Sequence, residues 1–489
     1  MLESVGDPIR RGLGPRTAAW VVTTGSVLAS LDLFVVNLAL PAVGASFPGA
    51  SERSLSWIVS GYTIVFAALL VPAGRMADRY GRRRVHRLGL AVFAAASGAC
   101  AAAPSVWVLV AARGVQGAGA ALMVPTSLAL LLAAQPAERH KRVLSHWAAA
   151  GSVAAAVGPA VGGLLVDVDW RLVFLLSVLL AAPAVALAGR LTESRTEGRR
   201  VPDLWGSALL VVCVAALVEV ILTGSDRSAG PTGTAAAAVV ATAAGAAFVR
   251  RAHRVAVPVV DLRLFGEPGF AAASAGMVVF YAGFAALLLG FPLLLTEVWG
   301  VSASQAGLWF AVSPAAAVLA SVLGGRSPLA PAWLTVTGAT LFAASGLWWA
   351  LVLTRDAPDF WLCLPGLLAT GAGAGVTQPG LLAGGARALP APAYATGTGV
   401  LNAGRQIGAA LGVGLFVALA GAARHATDLR PVWLLMCTTG GIAAVLAAAL
   451  ATGAPAPQRR EPPPARPALP VTAAPVPARQ VVPTTQEDR

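Results

Sequence analysis

The 489-residue sequence reads as an all-α polytopic membrane protein, and three observations carry that reading. Only 12% of the residues are charged, where soluble domains carry about 25%. Apolar stretches of roughly 20 residues recur along most of the chain, and a hydrocarbon core about 30 Å thick takes about that many residues as helix. The long Ala, Leu, Val and Gly runs also lack the polar-apolar alternation of barrel strands, and backbone groups in lipid must bond internally, so helices are the expected element.

Taken in order, fourteen spans follow from the apolar runs: 17 to 40, 55 to 73, 86 to 103, 105 to 133, 143 to 166, 170 to 189, 204 to 223, 232 to 249, 269 to 295, 304 to 324, 331 to 353, 359 to 383, 394 to 420 and 431 to 452. The first begins after Arg10, Arg11 and Arg16 and is long enough to span, so no cleavable leader is expected. The four cysteines, Cys100, Cys213, Cys363 and Cys437, lie inside apolar runs without CxxC spacing and read as small hydrophobes.

The net charge of +13 does not point to nucleic acid, because the basic residues fall mostly in short turns between spans. Leaving out the C-terminal stretch, one set of loops holds 22 basic residues and the opposite set six. The expected topology therefore has both termini in the cytoplasm. The longest polar segment between spans, Thr192 to Asp203, divides the chain after six of them. Residues 453 to 489, rich in Pro and Ala, read as a disordered cytoplasmic tail.

Ionisable groups at membrane depth are costly and usually face a polar interior, so each is a functional candidate. Asp32 lies eight residues before Leu40 and Arg113 eight residues after Ser105, which places both roughly 12 Å from the same face at 1.5 Å per residue. Opposite charges at one depth are expected either to pair statically or to alternate between pairing and proton uptake. Arg405, in TGTGVLNAGRQIGAALG, sits among small residues that favour close packing, so a packing role competes with substrate or proton work. Glu219 lies near the outer end of span 7, where snorkelling competes with a functional role.

Two further stretches stand out. In VGPAVGGLL, Pro159 removes a backbone donor while Gly158, Gly162 and Gly163 remove bulk, so this helix is expected to bend and lie close to a neighbour. GRMADRYGRRRV, residues 74 to 85, concentrates five arginines and one aspartate between two apolar runs, as a topology signal would.

Together these residues resemble the fourteen-span drug:proton antiporters of the major facilitator superfamily. The arginine-rich stretch is similar to the superfamily's loop between spans 2 and 3 at Gly74, Asp78, Arg79, Gly81, Arg82 and Arg83. ARGVQGAGAALMVPTSLAL resembles the span 4 motif of proton-coupled members through Arg113, Gln116, Gly117 and Gly119. AVGPAVGGLL resembles the span 5 motif of exporters through Gly158, Pro159, Gly162 and Gly163, and LDLFVVNLALP the span 1 motif through Asp32, Asn37 and Pro41. The stretch from Gly397 to Gly412 fits a late span with its Arg405 and Gln406 pair. Ala154 and Phe34 depart from the pattern, and GGRSPLAPAW keeps little of a second copy of the arginine-rich motif, which suggests halves that gate differently.

The resemblance implies a major facilitator fold: a six-helix bundle over residues 1–191, a linker with two extra helices over 192–263, and a second six-helix bundle over 264–452. It implies a monomer in the cell membrane that binds a hydrophobic or amphipathic small molecule between rocking bundles, with Asp32 carrying a proton and Arg113 coupling its release. The arginine-rich loop then serves as a cytoplasmic latch. The proton gradient would be the energy source, with no cofactor or metal. The span 5 pattern favours export over import or metabolite symport on the same fold. Enzyme chemistry is disfavoured, because His86, His140, His146, His253 and His425 form no HxxxH or HExxH cluster, and no GxxxxGK[ST] loop suggests a nucleotide-driven pump.

Overall fold

Apolar helices in lipid gain little from further burial of apolar surface, so they associate where small residues let their backbones approach. That rule organises the computed structural model, which describes residues 15–133, 140–193, 203–225, 230–390, 393–421 and 423–452. The described residues hold fourteen long helices and no strand. They are α1 (Pro15–Ser46), α2 (Glu52–Tyr80), α3 (Arg82–Ala101), α4 (Val106–Ala133), α5 (His140–Val168), α6 (Arg171–Ala188), α7 (Leu204–Ser225), α8 (Gly230–Arg254), α9 (Pro268–Leu293), α10 (Ala303–Gly324), α11 (Pro331–Val352), α12 (Phe360–Arg387), α13 (Tyr394–Ala420) and α14 (Arg430–Thr452). The expected tail at 453–489, and most of the polar segment between α6 and α7, lie outside the described residues.

Thirteen of these helices are long and apolar enough to cross a membrane. The exception is α3, whose first two turns carry Arg82, Arg83, Arg84, His86 and Arg87. It nevertheless packs inside the bundle, between α4 and α6.

The connections sort onto two faces. On the face away from the chain ends (the far face), Trp170 Nε1 donates to Ser46 Oγ at 2.9 Å, joining the α5/α6 and α1/α2 turns. Trp299 Nε1 donates to the Arg355 carbonyl at 2.9 Å, joining the α9/α10 and α11/α12 turns. On the terminal face, Arg251 of α8 pairs with Asp203 at the head of α7 at 2.7 Å.

Helix packing repeats with an offset of eight. α2 on α4, α3 on α4, α3 on α6, α1 on α5 and α1 on α6 are matched by α10 on α12, α11 on α12, α11 on α14, α9 on α13 and α9 on α14. The two contacts that join the groups obey the same offset, since α5 on α10 becomes α13 on α2. Two six-helix groups are thus related by pseudo-symmetry. The remaining pair stands outside the repeat: α7 lies against α2 and α13, and α8 packs on α7.

Candidate functional site

The centre of the first group is built by α4. Two glycines of its motif admit its neighbours: a Cβ at Gly117 would collide with the Tyr62 carbonyl of α2, and one at Gly119 would stand 2.7 Å from the Phe93 nitrogen of α3. Drawn in this way, α4 delivers Arg113 and Gln116 to three partner helices. Arg113 Nη1 donates to Asp32 of α1 at 2.7 Å (Oδ1) and 2.9 Å (Oδ2), and to Gln116 Oε1 at 2.6 Å. Its Nε donates to the Ile58 carbonyl of α2 at 3.1 Å. The charges placed at one depth by the sequence meet directly, each side chain only 2% exposed.

Gln116 completes the network. Its amide nitrogen donates to Asp32 Oδ1 at 3.3 Å and to Ser97 Oγ of α3 at 2.9 Å, and Ser97 in turn donates to the Phe93 carbonyl at 2.7 Å. The guanidinium also lies over the Tyr62 ring, 4.3 Å from its centroid, with Phe174 of α6 at 5.9 Å. Removing one member of a buried pair costs roughly 3–5 kcal/mol, because the survivor is left uncompensated. A proton arriving at Asp32 would have the same effect on Arg113. The arrangement therefore ties the charge pair to the packing of α1, α2, α3 and α4.

The other sequence candidates distribute differently. Asn37, just beyond Asp32 on α1, donates to the Leu33 carbonyl, while its Oδ1 is buried with no hydrogen-bond partner among the described residues. On α13, a Cβ at Gly408 or Gly412 would collide with the Val278 or Ala282 carbonyl of α9, so the stretch from Gly397 to Gly412 is a packing surface. It also holds a charge: Arg405 is partly buried, with its guanidinium 5.6 Å from the Tyr281 ring centroid, and Gln406 is buried beside it. Glu219 is partly exposed. It pairs with Arg53 of α2 near the far face, apart from the Asp32 network.

The span 5 motif brings α5 onto two helices. Gly158 faces Phe34 at 3.5 Å and Gly162 faces Val35 at 2.8 Å, both on α1. Gly163 and the Pro159 carbonyl meet Ala303 and Gly307 of α10, where no side chain fits.

The arginine-rich stretch is not a loop, which corrects the expectation. Charged residues do not break a helix, so α2 runs through Arg75, Asp78 and Arg79 to Tyr80, and α3 starts at Arg82. Gly81 alone makes the turn, at φ +103°, a conformation that side chains avoid. Arg82 donates to Asp78 at 3.0 Å. The Arg83 amide donates to Glu193 at 2.9 Å and its guanidinium to the Leu191 carbonyl at 3.0 Å. Arg75 donates to the Val257 and Pro258 carbonyls, beyond α8, at 3.2 and 2.7 Å. Gly74 has open space among the described residues where its Cβ would lie.

Ile58, Tyr62, Ser97 and Glu193 have no motif-level signal, because nothing in their local sequence says what a distant helix will bring. His86 likewise carries no such signal. It is fully buried on α3, with Nδ1 3.0 Å from Thr126 Oγ1 and 3.2 Å from the Met123 carbonyl.

Comparison with known proteins decides the family. The model of the Major Facilitator Superfamily matches residues 22–249 and 273–484. The chain belongs to the major facilitator superfamily. It is 36% identical over 436 residues to a methylenomycin A resistance protein of Streptomyces coelicolor, covering 86% of this chain and 88% of that one. It is 33% identical over 393 residues to the multidrug resistance protein Stp of Mycobacterium tuberculosis, covering 79% and 72%. Among solved structures, a D-xylose–proton symporter superposes with a TM-score of 0.64 at 15% identity, covering 89% of this chain and 97% of that one, a likeness of fold alone. As a major facilitator member the protein is a multi-pass membrane transporter, and its nearer relatives are antibiotic and multidrug resistance proteins.

Proposed function

We propose that this protein exports antibiotics or other hydrophobic or amphipathic small molecules from the cell in exchange for protons. The observation that carries the reading is the enclosed Asp32–Arg113–Gln116 network, which has a single carboxylate able to take a proton and a fixed cation that makes its occupancy costly to ignore. The names of relatives support the substrate class, as antibiotic and multidrug resistance proteins, and the outward direction, as a drug efflux pump and a cephamycin export protein.

In this reading both termini are cytoplasmic. The bundles at 1–191 and 264–452 rock about a substrate held between them, with α7 and α8 alongside. When a proton neutralises Asp32, Arg113 loses its counter-ion and the helices around it repack, which links proton entry to exposure of the substrate to the other side. Gln116 holds the carboxylate in register. Asn37, Arg405 and Gln406 are the remaining polar groups offered to a substrate. The Gly81 turn, with Asp78, Arg79, Arg82 and Arg83, latches the cytoplasmic ends in one state.

The test is drug accumulation in inverted membrane vesicles energised by a proton gradient. Accumulation by the intact protein and none by Asp32→Asn supports the reading. Equal accumulation by both would remove Asp32 from the pathway, and accumulation by neither under a full gradient would refute proton-driven export.

A further inference from the structure

The charges at mid-membrane depth do not balance. Asp32 is committed to Arg113, and among the described residues it is the one carboxylate near the middle of a long helix. Every other described carboxylate lies within two turns of a helix end or between helices. Arg405 stands near the middle of α13, and no ion pair reaches it among the described residues. It is the one charged residue of α13, and α9 beside it carries none. The second group offers no replacement for Asp32. Where Gln116 donates to Ser97 across α4 and α3, Thr370 donates to Ser345 across α12 and α11 at 2.8 Å, and both are neutral.

The packing of α13 sets the direction of this charge. Gly404, Gly408 and Gly412 face α9, while Ile407, Ala410 and Gly414 face α2 and α7, which leaves Arg405 and Asn402 on a third, polar face. What surrounds the guanidinium is aromatic and hydroxylic. It lies 5.6 Å from the Tyr281 ring centroid, with the Tyr281 hydroxyl nearby and the Phe284 ring 5.5 Å beyond that of Tyr281. On α2, which packs on α13, the Tyr62 hydroxyl is buried with no hydrogen-bond partner among the described residues. It stands within electrostatic reach of Asp32, Arg113 and Arg405, so the unbalanced cation and the charge pair share one neighbourhood.

An aromatic face attracts a guanidinium but takes none of its N–H groups in the plane, so Arg405 keeps donors for a ligand oxygen. A cationic ligand meets the opposite situation. With two guanidiniums and one carboxylate the neighbourhood carries one net positive charge. A second cation about 8 Å away, at an effective dielectric constant of about 20, would bind roughly thirtyfold more weakly than an uncharged molecule of the same shape. We propose that Arg405 is the specificity determinant of the transport site, admitting amphipathic molecules that present an oxygen acceptor such as a carbonyl, and turning away lipophilic cations. The aromatic surface of Tyr281 and Phe284 receives the apolar body. The inference rests on the transport reading above and names the chemistry of its substrate.

The test is competition against accumulation of a transported drug in inverted vesicles, with two probes built on one pyrene body, an uncharged methyl ketone and a trimethylammonium cation. With the intact chain the ketone is expected to compete roughly thirtyfold more strongly than the cation. Arg405→Gln should bring that ratio to within about threefold, and Arg405→Lys, which keeps the charge, should retain most of it. Equal competition by the two probes, failure of the ketone to compete, or a ratio that survives Arg405→Gln overturns the assignment. Where Arg405→Gln accumulates no drug, the ratio is read from energy transfer between tryptophan and bound pyrene in the purified variant and intact protein, and the same outcomes decide. Absence of accumulation by the intact chain under a full gradient instead refutes the transport reading on which the role of Arg405 rests.

Discussion

Asp32 and Arg113 illustrate what single residues reveal. Their meeting was legible because two charges at equal depth in an apolar chain have few other partners, and Gln116 was legible through its motif. Tyr62, Ser97 and the Ile58 carbonyl were not, because a tyrosine, a serine or a backbone oxygen in a helix looks the same whether or not an arginine arrives from another helix. The pair also makes a stability prediction. Asp32→Asn leaves Arg113 buried without its counter-ion and should cost roughly 3–5 kcal/mol, read as a lower melting temperature of the purified protein. Asp32→Leu with Arg113→Met should recover most of that loss and none of the transport, and recovery of transport by the apolar pair would show the charges to be structural only. Gly81 makes a second prediction at this scale. Its positive φ and the Glu193 carboxylate 2.6 Å from where a Cβ would stand mean that Gly81→Ala costs on the order of 1–3 kcal/mol, measured the same way, whereas Gly74→Ala is near neutral.

Helices as units were largely legible, and their ends were not. All fourteen runs became helices, but α2 continues beyond the apolar stretch because arginine, aspartate and alanine are compatible with helix wherever their heads reach water or a partner. Glycine patterns gave close approach without saying to which neighbour: α5 uses Gly162 against α1 and Gly163 against α10, while α13 uses Gly408 and Gly412 against α9. Gly408→Val should therefore destabilise by about 1–3 kcal/mol through overpacking. The far-face turns carry a pH-sensitive tie. His425 Nδ1 lies 2.7 Å from Asp356 Oδ2, and Asp356 Oδ1 accepts the Ala426 amide at 2.7 Å. The Asp356 hydrogen bond and charge hold the His425 ring above its ordinary pKa, with Asp428 adding to this and Arg424 opposing it. The Ala426 amide, then His425, hold Asp356 below the ordinary carboxylate range. The histidine contribution is present below about pH 6.5 and lost as pH rises through the raised value, and the aspartate contribution is present above about pH 3.9 and lost as pH falls through the lowered one. Hydrogen exchange at Ala426, corrected for its intrinsic rate, should thus be slowest near pH 5 to 6 and quicken above neutrality, and His425→Ala should flatten the alkaline arm.

At the scale of the whole molecule, the sequence showed the number of helices and the sidedness of the basic residues, and resemblance supplied the two bundles. The internal repeat itself was not visible, because helix packing preserves an offset of eight while the residues that do the packing have diverged. GGRSPLAPAW, in the place where a second arginine-rich turn would fall, retains neither the aspartate nor the arginine run. The same divergence leaves the α5–α10 contact tied by Asp167, which accepts the Ala303 amide at 2.9 Å, and the α2–α13 contact covered by α7. In the proposed cycle, proton occupancy of Asp32 and binding of substrate exclude one another through the Arg113 network. The most direct measurement is proton release from purified, weakly buffered protein on addition of a transported drug. Release is expected from the intact protein and from Asp167→Asn but not from Asp32→Asn; release of equal size from Asp32→Asn would show that Asp32 is not the exchanging group.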